Sequence, residues 1–136
     1  MRRICDFRLA IAFCILVPAL GHASPALHCL LEHGGETRAV RFTPTSDPYR
    51  VESVDVGSAF RFKAVVYRED ERIAYVKLYT YHQSPRRAVL LHQASYRSPA
   101  VEAVAGARSL TGDQRLFSAR LGMEFLYNCT LLEALP

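Results

Sequence analysis

Residues 60–83 read FRFKAVVYREDERIAYVKLYTYHQ, and this stretch decides the fold. From Phe60 aromatic and apolar residues alternate with basic ones, then merge into the apolar run Ala64-Val65-Val66. After the charged cluster Arg68-Glu69-Asp70-Glu71 the pattern resumes with Ile73, Tyr75, Tyr79 and Tyr81 at a spacing of two. Period two, β-branched and aromatic residues, and a short polar break together predict a β-hairpin. Pairing Tyr67 with Arg72 sets Val66 opposite Ile73, Ala64 opposite Tyr75 and Phe60 opposite Tyr79. In that register the tyrosines join the apolar face, and Arg61, Lys63, Val76 and Leu78 mix on the other. A sheet with one core face and one mixed face belongs to a sandwich or barrel.

Working outward, the same pattern recurs. Leu27 to Glu32 and Thr37 to Phe42 flank the turn His33-Gly34-Gly35-Glu36, whose glycines accept positive φ. Thr43 to Tyr49 holds two prolines and reads as a loop, with Tyr49 to Val56 as a third strand. Ala88 to Tyr96 returns onto Ile73–His82 through Ser84-Pro85-Arg86, and Leu121 to Leu132 is the last strand. Ser98 to Gly106 breaks the rule: a capping serine, proline at the first helical position, alanines and a terminal glycine predict a short helix near 99–105. The expected fold is all-β: a small single-domain antiparallel sandwich of about seven strands. An immunoglobulin-like arrangement is admitted and a barrel is the second choice.

The N-terminus has another character. Arg2, Arg3 and Arg8 precede a twelve-residue apolar run, Leu9 to Leu20, and then Gly21-His22-Ala23. A basic start, a short apolar segment and small residues at −3 and −1 make a secretory signal peptide. A spanning helix needs about 20 apolar residues, so no stable membrane span is expected after cleavage. Removal of residues 1–23 leaves a single domain, 24–136. Removing Arg2, Arg3, Arg8 and Asp6 with the leader lowers the net charge from +4 to +2. No basic run or stripe is present, so nucleic acid is not an expected partner.

Cleavage also removes Cys5 and Cys14, leaving Cys29 and Cys129. Two cysteines in an exported domain pair. Here they tie the first strand to the last, with no CxxC motif or clustered metal-ligand spacing to suggest redox or zinc chemistry. The short signal and the arginine bias point to a bacterial, periplasmic or secreted protein.

Candidate chemistry is sparse. His28, His33, His82 and His92 read as surface or rim residues, and the simplest pairing sets His92 opposite Leu78. Ser58 lacks the glycines of a nucleophile elbow. No catalytic residue, metal or cofactor is expected. The tyrosines are the distinctive set: seven in the chain, with no tryptophan. Tyrosine and arginine favour binding surfaces, and Arg61, Lys63, Lys77 and Tyr81 form the candidate binding face. The expected function is a non-enzymatic binding module that recognises a protein or glycan of the cell envelope. The alternatives are an inhibitor of a secreted hydrolase such as lysozyme, a structural subunit of an envelope assembly, and a small envelope enzyme.

Overall fold

A computed structural model describes residues 24–103 and 106–133; the predicted signal peptide lies outside them. Eight antiparallel strands form two four-stranded sheets. The strands are β1 (Ala26–His33), β2 (Glu36–Phe42), β3 (Val54–Val56), β4 (Phe60–Glu69), β5 (Arg72–Gln83), β6 (Ala88–Arg97), β7 (Gln114–Ser118) and β8 (Met123–Leu132). One sheet has the order β2-β1-β8-β7 and the other β3-β4-β5-β6. Within each sheet strands adjacent in sequence pair, and β8 closes back on β1. This is the cyclic order of an eight-stranded up-and-down barrel, flattened into a sandwich and unladdered at the β2/β3 and β6/β7 seams. Among the described residues there is no Greek-key crossing of the immunoglobulin kind.

The core lies between the sheets and follows from strand alternation. Leu27, Cys29 and Leu31 of β1 and Phe125, Tyr127, Cys129 and Leu131 of β8 point inward from one sheet. Phe60, Phe62, Ala64, Val66, Val76 and Leu78 meet them from the other. Phe62 sits at the centre, with ring centroids 5.9 Å from Phe42 and Phe125 and 5.1 Å from Tyr127. Such pairs add about 0.5–1.5 kcal/mol each beyond the area they bury.

The disulfide joins directly opposed residues of β1 and β8, with Cα atoms 4.1 Å apart and both side chains buried. The strand tied to the first is therefore its immediate neighbour. Closing a chain separation of 100 residues is worth about 4–5 kcal/mol through the unfolded state.

Three sequence expectations are corrected. The first is the hairpin register. β4 runs on to Glu69, and the turn shrinks to Asp70-Glu71, with Asp70 in the left-handed region at φ 53°. A bulge falls between Tyr67 and Arg68, so Tyr67 meets Tyr75, Ala64 meets Leu78 and Phe60 meets His82. An odd slip exchanges the faces of a strand. Val76 and Leu78 consequently enter the core, and the tyrosines of β5 leave it.

The second correction is the helix near 99–105. Residues 98–103 are not helical; Ser98 takes φ 43°, and Glu102 bridges to Leu132. Pairing of β7 with β8 runs only as far as Tyr127, leaving the backbone of 128–133 without partners on that side. Buried backbone groups need them. Glu102 N–H donates to Leu131 O (2.9 Å), Glu133 N–H to Glu102 O (3.0 Å) and Leu110 N–H to Cys129 O (2.8 Å). The Thr111 hydroxyl accepts from Cys129 N–H at 2.9 Å. This demand overrides helix propensity, which is a weak prior. Residues 104 and 105 lie outside the described set.

The third correction is the expected strand Tyr49–Val56. Asp47 accepts from Tyr49 N–H at 3.1 Å and caps a 3-10 turn over Pro48–Arg50, so the strand shortens to Val54–Val56. β7, for its part, arises where the sequence showed no strand signal.

Candidate functional site

The outer face of the β3–β6 sheet carries the candidate residues. Arg61 lies opposite Tyr81, Lys63 opposite Tyr79, Lys77 opposite Val65 and Tyr67 opposite Tyr75. Strand alternation therefore places Arg61, Lys63, Lys77 and Tyr81 on one surface, together with Tyr67, Tyr75 and Tyr79. All seven are half-buried. Val65 shares this outward orientation yet is only 4 % exposed, so its neighbours on the face cover it.

The tyrosines pair off. Tyr67 and Tyr75 stack with ring centroids 4.8 Å apart, and Tyr79 and Tyr81 lie nearly parallel at 6.4 Å. Lys77 Nζ sits 4.8 Å from the Tyr75 ring centroid, a cation–π contact that holds the ammonium on the face. Partial desolvation pushes the Tyr75 phenol above its usual range, and the nearby Tyr67, Tyr49 and Tyr79 hydroxyls add to it.

The cations are not equivalent. Arg61 Nε donates to Asp55 Oδ1 at 2.9 Å, and Gln83 Nε2 donates to the same oxygen at 2.9 Å. Arg61 is thus engaged at the β3 edge. Lys63 and Lys77 form no ion pair among the described residues. They and the tyrosine hydroxyls are the groups left to meet a partner.

The histidines are spread across the molecule. His28 is exposed on the outer face of the other sheet. His33 Nδ1–H donates to Glu124 O at 2.8 Å, and its ring packs edge-on against Phe60. His92 lies opposite Thr80 rather than Leu78, because the β5–β6 turn pairs Gln83 with Ala88, a shift of one, and a bulge at Leu91 adds another; its Nδ1 shares a 3.2 Å hydrogen bond with the Tyr127 hydroxyl. His82 is not a rim residue: the register of β5 turns it inward, where it is 4 % exposed. Its Nε2, Thr80 Oγ1 and Ser118 Oγ are buried without a hydrogen-bond partner among the described residues. Among the described residues no three of His, Cys, Asp and Glu gather as a metal site would require.

Clefts open at both ends of the sandwich. One of about 700 Å³ lies beside the β4–β5 turn and brings Arg72, Lys77 and Arg97 together with Glu69 and Glu71. Another, of about 640 Å³, lies between the β5–β6 and β7–β8 turns and includes Arg86, Arg87 and Arg120. The sequence reading missed the second. The Arg86-Arg87 doublet beside Pro85 was there to be seen, but nothing local places Arg120 next to it. The chain matches no protein-family model, no curated protein and no solved structure.

Proposed function

We propose that this is a non-enzymatic binding module that recognises an anionic protein or glycan of the cell envelope through the outer face of the β3–β6 sheet. The observation that carries the reading is the composition of that face: four paired tyrosines around two lysines that no acid neutralises. Tyrosine supplies large rigid contact area with a polar tip at low entropic cost. Free ammonium groups add attraction for carboxylates and sulfates. The face is built on β4 and β5, which share the longest ladder in the fold, so it is held ready before any partner arrives.

The working compartment in this reading is the periplasm or the exterior of a bacterial cell, reached through a cleaved signal peptide. A buried disulfide suits an oxidising compartment. No helix among the described residues is long and apolar enough to cross a membrane.

The test is capture from an envelope extract by the oxidised chain, alongside a Lys63→Ala/Lys77→Ala/Tyr81→Ala variant. The expected result is one partner retained in stoichiometric amount and weakened at least about tenfold by the triple variant, with thermal stability unchanged. Equal retention by both proteins removes this face from the reading, and an empty column removes the partner class.

A further inference from the structure

The cleft at the β6/β7 seam is chemically unlike the others. It is formed by Ser84, Pro85, Arg86, Arg87, Val89 and Arg120, with a volume of about 640 Å³. Three arginines line it and no acidic residue does. The cleft at the opposite end sets Glu69 and Glu71 against its three cations, and the one beside β7 sets Glu32 and Asp113 against Arg115. Arg86, Arg87 and Arg120 are exposed and form no ion pair among the described residues.

The scaffold places these arginines around one cleft. Pro85 restrains the β5–β6 turn. The β7–β8 turn is closed by hydrogen bonds from Leu121 and Gly122 N–H to Ser118 O at 3.1 and 2.8 Å, with Gly122 at φ 63°. Arg120 is therefore carried on a tight turn rather than a loose loop. The two turns belong to different sheets, and they meet where no backbone ladder joins β6 to β7.

Three arginines lining one concavity offer more donors than a carboxylate's two oxygens can accept. A terminal phosphate offers three oxygens and nearly two negative charges, and it pairs with arginine bidentately. We propose that this cleft binds the phosphate group of a phosphomonoester or diphosphate ligand, with Arg86 and Arg87 of one sheet and Arg120 of the other closing on it. The ligand bridges the unladdered seam, so binding stiffens β6 against β7. This site is separate from the tyrosine face and does not depend on it.

The probe is inorganic pyrophosphate, titrated by calorimetry into the oxidised chain at low salt, with acetate as the control anion. The same chain is mixed with vesicles of phosphatidic acid in phosphatidylcholine and with phosphatidylcholine alone. The expected result is saturable one-to-one binding with Kd below about 1 mM, weakening with added salt, with acetate inert. Arg120→Ala should weaken it about tenfold or more, Arg120→Lys should recover part of the loss, and Lys63→Ala/Lys77→Ala should leave it unchanged. Hydrogen exchange in β6 and β7 should slow in the bound protein. Pyrophosphate binding without vesicle binding assigns the site to soluble phosphates, and the reverse assigns it to a lipid headgroup. Binding of neither probe overturns the proposal. So does binding that Arg120→Ala leaves intact in a variant of unchanged thermal stability.

Discussion

The two sheets are equal in strand number and opposite in construction. The β3-β4-β5-β6 sheet is a meander in which every strand pairs with its neighbour in sequence. The β2-β1-β8-β7 sheet joins the two ends of the domain, and its central pair comes from strands that begin and end the described chain. Local hairpins form at little entropic cost, whereas pairing β1 with β8 must first close a separation of 100 residues. The disulfide stands at that costly pair and not in the meander. The sheet with the covalent tie holds the fold together, and the sheet built from hairpins is free to present the tyrosine face.

Removing the tie breaks this contrast most strongly. Cys29→Ser/Cys129→Ser is expected to cost about 4–5 kcal/mol, a large share of the roughly 5–15 kcal/mol that such a domain possesses. Native-state hydrogen exchange should show protection lost first in β1 and β8 and last in β4 and β5. Simultaneous loss in both sheets would mean that they unfold as one unit.

The contact between the sheets gives a smaller effect. Gly57, at φ 58° in the β3–β4 turn, lies so close to His33 that an added Cβ would fall 2.9 Å from the ring. That ring is itself held by Glu124 O. Gly57→Ala should cost about 1–2 kcal/mol from the left-handed backbone alone, with the displaced His33 adding to it. Chemical denaturation checks this; a loss under about 0.5 kcal/mol, the range of an ordinary surface change, would show that the turn relaxes away from β1.

The smallest effect at neutral pH is also the most specific. Tyr127 is 2 % exposed, and burial, reinforced by Tyr96, raises its phenol well above the ordinary value of about 10. The unfolded chain ionises this group first as pH rises through about 10. Its contribution to stability is therefore complete below that pH and is lost above it, by up to about 1.4 kcal/mol per pH unit. Tyr127→Phe should cost about 1 kcal/mol at neutral pH, through the hydrogen bond to His92, and should flatten the alkaline limb. An alkaline limb of unchanged slope would assign the effect to other tyrosines.

Much of the architecture could be read directly. Alternation identified β1, β4, β5, β6 and β8, because one face of each is more buried than the other, while the largely exposed β2 was marked by the glycine turn before it. The clasp between Cys29 and Cys129 followed from reading residues 1–23 as a leader, a reading that leaves these two cysteines to pair. The hairpin register did not follow, because a bulge and a two-residue turn leave almost no mark in the sequence yet exchange the faces of a strand. The candidate face shows the consequence. Arg61, Lys63, Lys77 and Tyr81 were chosen by residue type. Their common surface, and the presence of Tyr67, Tyr75 and Tyr79 on it, depends on the true register.

The sequence by itself determined that this chain makes strands, that their apolar sides face one another and which two cysteines join. These follow from side-chain period and composition, which are properties of short segments. Tertiary structure alone decided that residues 98–103 are not helical, that β7 exists and that Arg120 lines one cleft with Arg86 and Arg87. Those outcomes depend on which backbone groups β8 leaves unpaired and on where the two sheets come together. Such demands arise between segments far apart in the chain, and no short stretch of residues records them.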